Sequence, residues 1–269
     1  MANPELAGFD PVFWLHHAMV DRAMTLYQDS HPKAWLASST IGVGTYALAA
    51  GSTKDSKTVL APFGITSDKA RDTKSFNYNY ADLASGQSPA EIINGLYGNR
   101  PAAQTKRSTE DSSEMHEYTA NIQVDLPGSE GSFNVFIFDG EVDNAEPSTW
   151  YTDADFIGVH GFFTNNDAQG NGEDLATAAV SLTPALERRV ASGKLADMKP
   201  KTVAEYFERN KVYWRVVERV LDHYDQEIEL SQIPQLDVTL ATAKLTVPED
   251  SSLLPTWGEF VPLDQAKSD

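Results

Sequence analysis

Two adjacent histidines, His16 and His17, lie in an apolar run with Phe13 four residues before His17 and Asp21 four residues after it. On a helix, residues four apart share a face, so Phe13, His17 and Asp21 line up, and His16 is turned away by about 100°. An imidazole between an aromatic ring and a carboxylate suits copper or zinc, with the carboxylate orienting the ring from behind. One or two imidazoles cannot close a metal site alone. The adjacent pair also lacks the i, i+4 spacing of common helical metal motifs. Spacing by itself therefore leaves two readings open, a metal ligand or a packed histidine pair. The remaining histidines, His31, His116, His160 and His223, are scattered. Hydrolysis and phosphoryl transfer find no support, because the chain has no Gly-x-Ser-x-Gly, no glycine-rich phosphate loop and no His-Glu-x-x-His.

A helix must position these residues, and its signals are plain. Asp10 is suited to cap it, Pro11 to open it, and the apolar period runs to about Gln28, with Ser30-His31-Pro32 as the stop. Residues 38–57 contain Gly42, Gly44 and Gly51 and read as irregular connection. The alternating aromatics Phe76, Tyr78 and Tyr80 predict a short strand with one buried face.

The stretch Asp10-Pro11-Val12-Phe13-Trp14-Leu15-His16-His17, followed by Asp21-Arg22, resembles the second copper-binding signature of the tyrosinase and catechol oxidase family. The resemblance implies that His17 is the third ligand of the copper called CuB, with His16 beside it. It also implies that Phe13 overhangs the copper pocket and gates substrate, and that Asp21 and Arg22 fix the helix. Leu60-Ala61-Pro62-Phe63 is similar to the segment that follows the last copper helix in that family. Tyr78-Asn79-Tyr80 is similar to the Tyr-x-Tyr motif that closes the catalytic domain, where it pairs with an N-terminal arginine. The family's other five ligands, including a His-x3-His pair, have no counterpart here. The resemblance therefore implies the C-terminal part of a type-3 copper protein, carrying one of six ligands.

Beyond residue 84 the composition shifts. Residues 85–114 read as a linker, with a possible short helix at 89–96. Its basic pair Lys106-Arg107 reads equally as solvated linker or as a processing site. Residues 115–269 read as a second, mainly β domain. Tyr118, Ala120, Ile122 and Val124 alternate along one strand, and residues 133–138 form the next. A Pro-Gly-rich turn between them predicts a β-hairpin. Further strands are expected at 156–163, 176–182, 213–217 and 236–247, and helices at 183–192 and 202–210, the latter opened by a Thr202-x-x-Glu205 capping box. The fold class is thus α+β. It comprises a remnant of a helical copper bundle (1–84), a linker, and an antiparallel β-sandwich or barrel with a few short helices.

The second part resembles the C-terminal domain of fungal tyrosinases, including its tail motif Pro255-Thr256-Trp257-Gly258-Glu259-Phe260. Some fungal relatives carry a Cys-x-x-Cys in a loop matching residues 165–172, and this chain has no cysteine. In the family this domain inserts a side chain into the copper pocket. Phe162 and Phe163 are candidates for that insertion, with a place in the β core as the more ordinary alternative for either one.

A net charge of −18 argues against nucleic acid and anionic membrane as partners. No apolar run is long enough to span a bilayer and no signal peptide opens the sequence, which fits a cytoplasmic protein without excluding secretion. The resemblance implies copper as cofactor, a phenolic substrate and O2 as partners, and an o-quinone as product. It further implies that this chain alone is inactive. The alternative is a non-catalytic cover or regulatory domain that contacts a tyrosinase catalytic domain.

Overall fold

A computed structural model describes residues 7–42, 44, 47–98, 115–125, 132–143, 146–162, 175–218, 226–233, 235–250 and 252–264. The chain divides into two compact units, Met1–Arg100 with Pro248–Leu254, and Pro101–Val247 with Pro255–Asp269.

The first unit is built on one long helix, α1 (Pro11–Ser30), which begins as its signals predict. Asp10 Oδ1 accepts from the Val12 amide at 2.9 Å, and Pro11 takes the first turn, where a missing N–H costs nothing. After α1 the chain makes two small ladders, β1 (Ser39–Thr40) on β2 (Thr53–Lys54) and β3 (Val59–Leu60) on β4 (Ile65–Thr66). A four-residue helix, α2 (Ser67–Ala70), follows. α3 (Pro89–Tyr97) is opened by a reciprocal capping box between Ser88 and Glu91 and buries Ile92. It contacts α1, so the first unit extends past the boundary at 84.

No strand forms at residues 76–80. Asp72 caps a 3-10 turn over Thr73–Phe76, and Asn77 then enters the left-handed region at φ 56°. Left-handed backbone cannot continue a strand, and asparagine is one of the few residues that adopts it cheaply.

The second unit holds two antiparallel sheets. One has the order β10 (Gln226–Ile228), β9 (Val212–Glu218), β6 (Phe133–Asp139), β7 (Phe156–Phe162). The other runs β12 (Thr256–Trp257), β11 (Asp237–Thr246), β5 (Met115–Asp125), β8 (Leu175–Ser181), with β13 (Val261–Pro262) also on β11. The core between them takes the alternating residues Tyr118, Ala120, Ile122 and Val124 of β5 and Phe133, Val135 and Ile137 of β6. Two helices, α4 (Thr183–Ala191) and α5 (Pro200–Asn210), add Leu186, Val203 and Phe207 to the same core.

The predicted hairpin between β5 and β6 does not form. β5 pairs with β11 and β8, while β6 pairs with β9 and β7, so consecutive strands belong to different sheets. Alternation fixes which face of a strand is buried and leaves its neighbour open. β6 itself is buried at every position, the pattern of a strand covered on both faces. Its outer face carries Phe136 and Phe138, packed with Trp150 and Val217 in a second apolar cluster. Trp150 is delivered by a 3-10 turn over Pro147–Thr152, and the Arg215 guanidinium lies 4.1 Å from its ring centre.

The capping box at Thr202 is also overturned. α5 starts three residues after Asp197, with Pro200 at its first turn, and places Thr202 inside the helix. A proline at the first position decided the start, since it supplies a pre-set φ and needs no capped amide of its own. In α4, the Thr183 hydroxyl accepts from the Tyr118 amide at 2.9 Å, joining the helix start to β5.

Candidate functional site

His17 lies on the exposed side of α1. The Phe13 ring sits 4.1 Å from it, centre to centre, and the His16 ring stands edge-on at 5.6 Å. Phe13 is half-buried, whereas His16 and His17 are exposed. The helix thus brings Phe13 and His17 together as the four-residue spacing predicts. Much of the surrounding surface is apolar and open, since Trp14 is 62% exposed, Leu15 71% and Val20 48%. The Trp14 indole N–H donates to the Gly8 carbonyl at 3.0 Å, which ties the chain entering α1 to its second turn.

Asp21, one turn beyond His17, is the focus of a polar clasp. The hydroxyls of Tyr78 and Tyr80 both donate to its Oδ2, at 2.6 and 2.5 Å. The Tyr80 hydroxyl also lies 3.1 Å from the Ala18 carbonyl. In the family this motif pairs with an N-terminal arginine that has no counterpart in this sequence, and here both phenols meet the Asp21 carboxylate. Both phenols thus converge on one oxygen. Partial burial, followed by the hydrogen bond to Asp21, pushes the Tyr78 hydroxyl up to about 12, and the same causes raise Tyr80. Arg22 pairs with Asp82, and this hydrogen bond holds the Asp82 carboxyl below the usual range. Asp82 was missed by sequence reasoning, because a partner 60 positions away leaves no local spacing signal.

In the second unit, Phe162 is buried in the core, 5.3 Å from the Phe133 ring and 4.9 Å from that of His160. Phe163, Lys106, Arg107 and the loop matching 165–172 lie outside the described residues. A second polar cluster sits at the opposite end of β6. Asp139 Oδ2 accepts from Arg189 Nε and from the Tyr206 hydroxyl, the latter at 2.8 Å, while Arg189 Nη2 reaches Asp155. Burial works to lower the Arg189 pKa, but the hydrogen bonds to Asp139 and Asp155 outweigh it and raise the value. Burial and the bond to Asp139 push the Tyr206 hydroxyl up to about 12. In sequence, Asp139-Gly140 reads only as a strand end, so nothing marked Asp139 as the centre of a network.

The described residues do not by themselves complete a copper centre. Among the described residues no group of three His, Cys, Asp or Glu side chains could hold a metal ion. His17 and His16 are exposed side by side on one helix, and the nearest carboxylate, Asp21, already accepts two phenols. Also among the described residues, no helix is long and apolar enough to cross a membrane.

Comparison with known proteins identifies two matching families. The family described as the tyrosinase C-terminal domain matches residues 117–240, and the common central domain of tyrosinase matches residues 1–30. Polyphenol oxidase 2 of Agaricus bisporus is 32% identical over 126 residues, covering 41% of this chain and 23% of that protein. A tyrosinase of Neurospora crassa is 20% identical, covering 93% of this chain and 53% of its own length. A crystal structure of latent and active mushroom tyrosinase superposes with a TM-score of 0.69 at 25% identity, covering 94% of this chain and 49% of that one. The chain therefore spans about half or less of these relatives. It belongs to the fungal-type tyrosinase family and corresponds to the C-terminal part of that family.

Proposed function

We propose that this chain is the C-terminal part of a type-3 copper phenol oxidase that converts monophenols or o-diphenols to o-quinones with O2. His17 supplies one of six imidazoles. The other five belong to polypeptide outside this sequence. The observation that carries this reading is the position of His17, packed against Phe13 on an exposed helix face whose carboxylate Asp21 is already engaged. In this role the chain's own residues hold the ligand helix rather than perform chemistry. The phenols of Tyr78 and Tyr80 fix its third turn, Arg22 and Asp82 fix the turn beyond, and Phe13 limits the approach to the imidazole.

Alone, the 269-residue chain is expected to be inactive. The test is oxidation of catechol and tyrosine by the purified chain after incubation with Cu(II). Background rates support the reading, and turnover above background contradicts it. A second reading is favoured by the self-contained core of the β unit, in which residues of both sheets and of α4 and α5 pack together. Here that unit is a non-catalytic cover that contacts a tyrosinase catalytic domain. A fall in the activity of a separately prepared catalytic domain when the chain is added supports this second reading, and unchanged activity counts against it.

A further inference from the structure

A cavity of about 230 Å³ opens beside the polar cluster at the end of β6. Drug-sized sites take roughly 300–1,000 Å³, so a ligand here has only a few heavy atoms. Asp139, Asp155 and Arg189 line its inner end, where Asp139 is buried and the other two are half-buried. Arg188, Ser192 and Lys194 line its exposed mouth. Backbone fixes both ends. The Asp139 amide donates to the Asp155 carbonyl at 2.8 Å, which holds the two acidic residues side by side. At the end of α4, Gly193 turns the chain with φ at 76°, and the Lys194 amide donates back to the Arg189 carbonyl at 2.9 Å. Residues 139–143, 146–156 and 185–194, which carry or flank these side chains, are all described, and Asn144 and Ala145 between the first two stretches are uncharged.

Two independent observations mark this cavity. Asp139 is 6% exposed, and its Oδ2 is taken by Arg189 and Tyr206, while its Oδ1 is buried with no hydrogen-bond partner among the described residues. A buried carboxylate oxygen without a donor is costly, and an N–H from a ligand would satisfy it. At the mouth, Arg188 and Lys194 enter no ion pair among the described residues, on a chain whose net charge is −18. The helix dipole favours a cation in the last turn of α4, which accounts for Arg188 but not for the unpartnered oxygen. The cavity is therefore polarised. Its inner end sets two carboxylates against one guanidinium, and its mouth presents two cations. A simple anion meets Asp139 and Asp155, and a simple cation must pass Arg188 and Lys194. A small molecule carrying both charges is matched at each end.

The geometry points to a binding site for a small zwitterionic α-amino acid, its ammonium donating to Asp139 Oδ1 and its carboxylate held between Arg188 and Lys194. The cavity lies wholly within the second unit, so this assignment stands or falls apart from the copper reading. The probe is L-alanine, titrated into the full chain and followed by amide NMR shifts. Propionate, which lacks the ammonium, and ethylamine, which lacks the carboxylate, are its two halves. The expected result is a saturable shift with alanine in the millimolar range, at residues 139–140, 155–156 and 188–194. Each half should bind at least about tenfold more weakly, a difference of about 1.4 kcal/mol. The pair Arg188→Gln with Lys194→Gln should weaken alanine several-fold and leave any binding of ethylamine undiminished. Both substitutions fall on exposed side chains, so the fold is checked by the unchanged shifts of β5. High salt should weaken alanine, since the cations at the mouth face solvent. Propionate or ethylamine binding as tightly as alanine, no saturation with alanine, or alanine binding indifferent to the double substitution would overturn the assignment.

Discussion

The structure turns on a few single side chains whose partners are distant in sequence. Asp21 accepts from both Tyr78 and Tyr80, so replacing both tyrosines by phenylalanine removes about 1 kcal/mol per hydrogen bond from the hold on α1. Amide exchange of residues 17–22 is expected to quicken by roughly thirtyfold in the double variant, with β5 unchanged. Equal exchange would mean that the phenols do not secure the helix. In the second unit, Arg189→Met leaves the buried Asp139 carboxylate without its cation. Breaking such a pair costs about 3 kcal/mol, and thermal denaturation of the β unit should show the loss. The Tyr206 hydroxyl, raised to about 12 in the folded state against an ordinary value near 10, contributes stability that is fully present below pH 10. That contribution disappears as pH rises from 10 to 12, because the unfolded chain ionises first. Wild type should therefore lose stability more steeply across this window than Tyr206→Phe, and parallel curves would contradict the assignment.

At the scale of elements, what the sequence discloses is periodicity and caps, and what it conceals is partnership. Asp10-Pro11 announces α1, because that device acts within four residues. The inward set of β5 follows from a period of two. Its neighbours do not, since β8 and β11 come 50 and more positions later, and a turn-like loop between β5 and β6 suggests a hairpin that long-range pairing overrides. Phe13 and His17 were legible as a pair from a single helical turn, whereas Asp82 and Asp139 acquire their roles only in three dimensions. The meeting of the two sheets gives another such case. At Ile157 the β6–β7 ladder shifts register, Ile137 facing Gly158 and Phe138 facing Phe156. A Cβ on Gly158 would come within 2.7 Å of Val180 Cγ1 on β8. Valine is stiff at χ1 and cannot swing clear cheaply, so Gly158→Ala should destabilise the β unit by about 1–3 kcal/mol. An unchanged melting temperature would show that β7 and β8 can separate there at no cost.

At the scale of the whole molecule, the two units are held by different forces. The second has a continuous apolar core lined by both sheets and two helices. In the first, α1 buries only Leu26 and Gln28 and relies on the clasp at Asp21 and the pair of Arg22 with Asp82. Its face with Trp14, Leu15, Met19 and Val20 stays open to solvent. Under the proposed function, this open apolar face would meet the polypeptide that carries the other imidazoles. The central claim is that this chain contributes a single copper ligand and cannot by itself hold a copper pair. The most direct test is the copper content of the purified chain after incubation with Cu(II) and exhaustive dialysis, compared with His17→Ala. The account predicts less than one copper per chain, reduced further by the substitution. About two coppers per chain would contradict it.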